Sequence, residues 1–394
     1  MRNQTVANFI AEHVREIPRS GIRDFFEIVQ SMTGVISLGI GEPDYVTPWR
    51  IREAAIFALE KGKTGYTSNF GLPRLRQAIS RYLERHIGVR YDPKTEILVS
   101  VGVSEALDLA LRATINPGDE VLFHEPSYVS YNPSVALAFG KPVAVRTSAE
   151  AGFKLLAEDL QAKISARTKA LILSFPTNPT GGVLTLEELR PVAEVCVEHD
   201  ILVLSDEIYS ELSYDGTEHV SIASLPGMRD RTVLLNGCSK AFAMTGFRVG
   251  YACAPAPVIE AMMKVHQYAI MCASNMSQEA AIEALENCGK EVASMVNDYE
   301  RRRNFVVSRL NEIGLPCHLP KGTFYVFPTV SQTGLTSREF SLRLLQEKRV
   351  AVVPGDAFGP SGEGFVRCCF ATSLDLLREA MNRIEEFVRE RRNK

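Results

Sequence analysis

No run of apolar residues in this chain approaches the length of a membrane-spanning helix, so no transmembrane segment is predicted. The stretch Met1–Pro18 is broken by Arg2, Glu12, His13, Arg15 and Glu16, and it lacks the continuous apolar centre of a signal peptide. Charge of one sign is missing too. The formal net charge is −3 over 394 residues, which gives no electrostatic footing for nucleic acid or an anionic membrane. The eight cysteines, at 196, 238, 253, 272, 288, 317, 368 and 369, form no C-x-x-C pair. Zinc-ribbon and thioredoxin-like readings therefore fail, and a reducing, cytoplasmic setting is expected. None of the seven histidines falls in a ligand spacing such as H-E-x-x-H. No metal is expected, and each histidine reads as a surface or satisfied, partly buried residue. Dinucleotide and nucleotide loops also fail: Asp44 occupies the third glycine position after Gly39-Ile40-Gly41, and Phe57 stands where a loop ending at Gly62-Lys63-Thr64 must begin with glycine.

What is present is apolar content of 45 %, enough for a large core, with no internal repeat or low-complexity linker. Short β-rich runs recur at Glu96–Gly102, Glu120–Pro126, Pro142–Thr147, Ala170–Pro176, Ile201–Ile208, Thr232–Gly237 and Gly250–Ala254. Most are continuously apolar, as strands covered on both faces are. Between them lie helical periods such as Leu186–His199. The alternation predicts an α/β unit with a mainly parallel sheet. After about Gly289 the pattern changes to a long helix ending at Gly314, short strands at Thr323–Phe327, Arg349–Val353 and Phe365–Phe370, and a last helix over Leu374–Arg389. Glu300, Arg301, Arg302 and Arg303 are expected to face solvent, and Glu390–Lys394 to fray.

The stretch Ser239–Gly250 places Lys240 eight residues before Arg248, with small and apolar residues between. A lysine in an apolar wall loses hydration, which favours its neutral, nucleophilic form. A nearby arginine can hold a phosphate with paired donors. An aldehyde with a phosphate arm, pyridoxal 5′-phosphate (PLP), suits both. A solvated loop is the plain alternative. Further polar residues sit where strands end. Asn178 lies within Asn178-Pro179-Thr180-Gly181, and Asp206 begins Asp206-Glu207-Ile208-Tyr209. Their separations, 28 residues from Asn178 to Asp206 and 34 on to Lys240, match single strand-helix-strand repeats and allow one shared rim. Taken singly, the first is a turn and Asp206 a helix cap.

Together with Gly39-Ile40-Gly41-Glu42-Pro43-Asp44, Tyr66, Gly71, Leu75-Arg76, Gly322-Thr323-Phe324-Tyr325, Pro354-Gly355 and Arg367, these motifs resemble the class I/II aminotransferases of fold type I, over nearly the whole chain. The resemblance implies an α/β fold with a mainly parallel seven-stranded sheet. It divides the chain into a large PLP-binding domain over 48–288 and a smaller α+β domain formed by 1–47 plus 289–394. It also implies a homodimer. Lys240 would form the Schiff base and move the substrate α-proton, Asp206 would sit against the pyridine nitrogen, and Asn178 and Tyr209 would bond the ring's phenolate oxygen. Phosphate would be held by Arg248, Ser239 and the N–H groups around Val103, Ser104 and Glu105, where a helix opens. Tyr128 would stack on the ring, and Tyr66 would reach the phosphate in the neighbouring subunit. Arg367 would clamp the substrate carboxylate, with Gly41 closing over it.

Transamination from an acidic or aromatic amino acid to 2-oxoglutarate is the expected chemistry. Arg19 or Arg23 is a candidate for an acidic side chain, with surface charge the alternative. Two rivals remain at this point: a PLP-dependent lyase of the same fold, and a non-catalytic PLP-binding sensor of the kind joined to a DNA-binding domain, for which little chain stands ahead of the first motifs.

Overall fold

The computed structural model describes residues 9–17, 29 and 32–392. Strand β1 (Ile36–Ser37) precedes seven strands that match the seven β-rich runs: β2 (Ile97–Ser100), β3 (Glu120–Glu125), β4 (Lys141–Arg146), β5 (Thr168–Leu173), β6 (Leu202–Asp206), β7 (Thr232–Gly237) and β8 (Gly250–Cys253). These seven form one sheet in the order β2-β8-β7-β6-β5-β3-β4. Only β8 runs against the rest, pairing antiparallel with both β2 and β7. Continuously apolar strands are stable here because helices cover both faces. Thus β2, β3, β7 and β8 are buried throughout, while β4, at the edge, is partly exposed. The helix Leu186–Glu198 opens on a reciprocal cap: Thr185 accepts from the Glu188 N–H, and the Glu188 carboxylate accepts from the Thr185 N–H.

After the long helix Gly289–Ile313 come β9 (Tyr325–Val326), β10 (Val350–Ala351), β11 (Val353–Pro354) and β12 (Val366–Cys369). The run expected as one strand over Arg349–Val353 is split at Val352, because its two halves pair differently. β10 lies parallel to β1, and β11 lies antiparallel to β12, which in turn pairs with β9. The Leu38 N–H donates to Ala351 and its carbonyl accepts from Cys369, so the chain ahead of Gly39 is fastened to this C-terminal part. That attachment aims the segment Gly39–Thr47 across the end of the large sheet.

Two expectations are corrected here. Arg302 and Arg303 do not face solvent. Arg303 is fully buried, bidentate to Asp215 at 2.8 Å and 2.8 Å, and donates to the Pro320 carbonyl. Arg302 donates to Asp44 at 2.7 Å and to the Thr372 carbonyl at 2.8 Å. A helical period marks the face toward the core but cannot show that a distant carboxylate waits there for an arginine. The tail does not fray from Glu390 either. The last helix runs Leu374–Arg392, and Arg391 holds Glu347 at 2.7 Å while lying over the Phe387 ring.

Candidate functional site

The register pairs Leu173 with Ser205 and Asp206 with Leu235, which sets the ends of β5, β6 and β7 level. Asp206 is the last residue of β6, Lys240 follows β7 closely, and Asn178 sits in the turn after β5, where the Gly181 N–H returns to the Thr177 carbonyl at 2.8 Å. The three expected residues therefore share one rim of the sheet, beyond the carboxyl ends of its parallel strands, where such sheets bind ligands.

Lys240 points its Nζ at the Gly41 carbonyl, 2.9 Å away, and lies 5.9 Å from the ring centres of both Tyr209 and Phe324. Burial pulls its ammonium down to about 8, and the charges of Arg367 and Arg248 act in the same direction. Arg367 stands on β12 in the facing sheet. It donates to the Asn178 Oδ1 at 2.9 Å and to the Gly39 carbonyl at 2.6 Å, and packs over the rings of Tyr325 and Phe358. Its Nε is buried with no partner among the described residues. This leaves one buried N–H of the guanidinium free for a further acceptor. With its oxygen taken by Arg367, the Asn178 amide keeps both N–H donors for the site. Tyr209 bonds Tyr325 hydroxyl to hydroxyl at 2.9 Å. Gly41 is required where it is, since a Cβ there would stand 2.3 Å from that Tyr325 hydroxyl.

Asp206 is buried and accepts from the Tyr131 hydroxyl at 2.8 Å and from the Ile208 N–H at 3.2 Å. Burial pushes its carboxyl up to about 6, against the pull of those two donors and of Lys240. Val103, Ser104 and Glu105 lie in the first turn of the helix Gly102–Thr114. Their N–H groups have no i−4 partners in the helix, and no acceptor takes them among the described residues. Arg248, in the left-handed region at φ 51, lies against that turn: a Cβ on Gly102 would be 2.6 Å from its Nη2. The result is an anion cup of open N–H groups and a guanidinium, with buried Ser239 beside Lys240.

Not every expected residue joins the constellation. Tyr66 is 81 % exposed in the connection between the helices Trp49–Glu60 and Pro73–Ile87, and Arg19 and Arg23 lie outside the described residues. Tyr128 is near, edge-on to Tyr131 with ring centres 5.6 Å apart. Ser104, which taken alone reads as a helix cap, lies inside the helix, which starts two residues earlier at Gly102. Glu105 contributes more than its N–H: its carboxylate accepts from His266 at 2.8 Å. The expectation for histidines is corrected at His124 and His266, which are fully buried rather than partly so. Burial drives His124 down to about 4, so it stays neutral near pH 7. Sequence reasoning assigned no role to Tyr131, Tyr325 or Phe358. Tyr325 stands within a quoted motif, whereas Tyr131 and Phe358 carry no pattern beyond their apolar rings.

A buried amine, a buried carboxylate, a guanidinium with a spare donor and open helix N–H groups gather at one rim of a mainly parallel sheet, where folds of this kind bind their ligands. The chain belongs to the aminotransferase class I and II family, whose model matches residues 33–384. It is 49 % identical to the aspartate aminotransferase of Pyrococcus abyssi, over 95 % of this chain and 96 % of that one. It is 45 % identical to aromatic-amino-acid aminotransferase 2 of Thermococcus litoralis, over 97 % and 99 %. The crystal structure of the aromatic aminotransferase from Pyrococcus horikoshii superposes with a TM-score of 0.90 at 48 % identity, covering 94 % of this chain and all of that one. The protein is an aminotransferase.

Proposed function

We propose that this aminotransferase carries pyridoxal 5′-phosphate on Lys240 and moves the amino group of an acidic or aromatic L-amino acid to a 2-oxo acid such as 2-oxoglutarate, in two half-reactions of a ping-pong cycle. One observation carries this reading. Lys240 Nζ and Arg367 Nη2 donate to carbonyls of the same segment, Gly41 and Gly39, two residues apart. An amine and a carboxylate clamp at that separation suit the two ends of an α-amino acid.

The residues suit the cofactor as well. The first-turn N–H groups at Val103, Ser104 and Glu105, with Arg248 and Ser239, would take its phosphate. Asp206 would face the ring nitrogen, Asn178 and Tyr209 the ring oxygen, and Tyr128 the ring face. When bound, the cofactor supplies an aldehyde that takes up amines and a ring that accepts electrons. The protein supplies the rest. Lys240, once free of the aldehyde, holds and returns the proton of the substrate α-carbon, a task suited to an amine near 8. Asp206 keeps a proton on the ring nitrogen. Arg367 and Gly41 orient the carboxylate, and the aromatic wall of Phe324, Tyr325 and Phe358 keeps water away. We further take residues 48–288 as the cofactor-holding unit and 1–47 with 289–394 as the unit that brings Arg367 and Gly41, a division that the β1–β10 pairing supports.

A panel of amino donors against 2-oxoglutarate, with both products followed, tests the reaction. Aspartate or an aromatic donor should yield its own oxo acid together with glutamate. Release of ammonia with no new amino acid, or turnover confined to small aliphatic donors, would count against the reading.

A homodimer completes the proposal. Tyr66, Trp49, Phe57 and Tyr268 are each more than half exposed, an apolar surface that a second copy would cover. Activity should fall on dilution as sedimentation shows monomer forming. A fully active monomer would remove the partner, and with it Tyr66, from the site.

A further inference from the structure

Tyr131 has no part in the reading above, yet it makes the shortest contact to the carboxylate on which that reading depends. It opens the helix Tyr131–Leu137 and is 1 % exposed. Its hydroxyl donates to Asp206 Oδ2 at 2.8 Å, while the other oxygen, Oδ1, has only the longer bond from the Ile208 N–H. The same ring braces Tyr128 edge-on, 5.6 Å between centres. One side chain thus touches both the group assigned to the ring nitrogen and the ring assigned to the cofactor's face.

We propose that Tyr131 is a positioning residue: its hydroxyl holds the Asp206 carboxylate charged and aimed at the ring nitrogen of the bound cofactor. The inference rests on the functional reading given above. A phenol buried beside a carboxylate stays protonated, and its own proton release is pushed far up by burial and by Asp206, so it can only donate to that oxygen. The other charged groups acting on Asp206 are Glu207, next to it in the chain and opposing its ionisation, and Lys240, which favours it. Neither offers Asp206 a hydrogen bond among the described residues. Without the Tyr131 hydroxyl the carboxylate would become more basic and draw the proton away from the ring nitrogen. The ring would lose positive charge, and the nitrogen contributed by Lys240 would keep its own proton to higher pH.

Tyr131→Phe keeps the ring, its burial and the contact with Tyr128, and removes the hydroxyl with its donation to Asp206 and its contact with Ser174. Absorbance titration of the cofactor-loaded variant should place the colour change about one pH unit above the wild type, the size expected for losing a hydrogen bond to a charged group. In an Asp206→Asn background the same substitution should leave the midpoint where it was, because no carboxylate remains to be held. An unmoved midpoint in the single variant, or an equal shift in both backgrounds, overturns the proposal. Should Tyr131→Phe alone fail to fold, the double variant decides. Recovery of a folded protein supports the pairing, since a neutral amide has less need of the donor, and failure of both places the hydroxyl's role in packing and overturns it. Borohydride labelling of the wild type separates the two levels. An unlabelled Lys240 defeats the functional reading itself, whereas a labelled Lys240 with an unmoved Tyr131→Phe midpoint defeats this inference alone.

Discussion

Borohydride reduction of the cofactor-loaded protein should leave the label on Lys240, and Lys240→Ala should lose the label together with about 10⁴-fold of the turnover. The size follows from two tasks resting on one amine. As a nucleophile it must be neutral, and lowering an amine from 10.5 to about 8 raises its neutral fraction at pH 7 about 300-fold. As a proton carrier it must recharge readily near neutral pH, which the same value allows. The sign can be checked separately. Capture of the cofactor by the cofactor-free protein should slow by about tenfold per pH unit below 8, as the amine becomes charged, and level off above it. Among the described residues the Gly41 carbonyl is the only hydrogen-bond partner of Lys240 Nζ, and no carboxylate forms an ion pair with it. The shift therefore comes from burial and from neighbouring cations, and it should survive high salt better than a surface pair would. A reduced adduct on any other lysine, or full turnover in Lys240→Ala, would end the assignment.

Arg367→Lys should cost about 10²- to 10³-fold in kcat/KM for amino acids, or about 3–4 kcal/mol, while the protein still binds cofactor and keeps its colour. The guanidinium already spends one donor on Asn178 and one on Gly39, and still has a buried Nε for a ligand. A lysine ammonium has three donors on a single atom and no planar fork, so it cannot satisfy the amide, the carbonyl and a carboxylate in the same geometry. The flat face also matters: Arg367 lies 4.3 Å from the Tyr325 ring centre and 4.9 Å from that of Phe358, contacts better suited to a plane than to a compact, strongly hydrated ammonium. The loss should be specific to the carboxylate. Amines of the same side chain that lack it should react at similar, low rates in both proteins, and an equal loss for them would mean that the substitution had disturbed Asn178 or the Gly39 segment instead.

Both predictions concern residues that could be named from the chain alone, and the reason is physical. Strands of a parallel sheet buried on both faces must be continuously apolar, so a polar residue at a strand's end stands out. Asp206, Lys240 and Asn178 were visible for that reason, and Arg367 through its surrounding motif. The seven strands were legible on the same ground, with ends differing by at most three residues. Legibility failed where a role depends on a partner far away in sequence. Arg303 was read as solvent-facing because nothing near it in the chain announces Asp215, 88 positions earlier. Tyr131 carries no signal in the chain, because its partner Asp206 lies 75 positions away. The two halves of Arg349–Val353 were read as one strand because periodicity carries no information on which neighbour each half will find.

The sequence by itself determined the alternating α/β architecture, the polar residues at the sheet rim and the family, because each is written in local composition and spacing. Only the tertiary structure decided that Arg367 spends two donors on Asn178 and Gly39, that the Gly41 carbonyl meets Lys240, and that Asp206 leans on Tyr131. Those contacts join residues 75 to 328 positions apart. Their geometry is fixed by how two packed layers meet, and hydrogen bonding and desolvation act over a few ångströms of space whatever the distance along the chain.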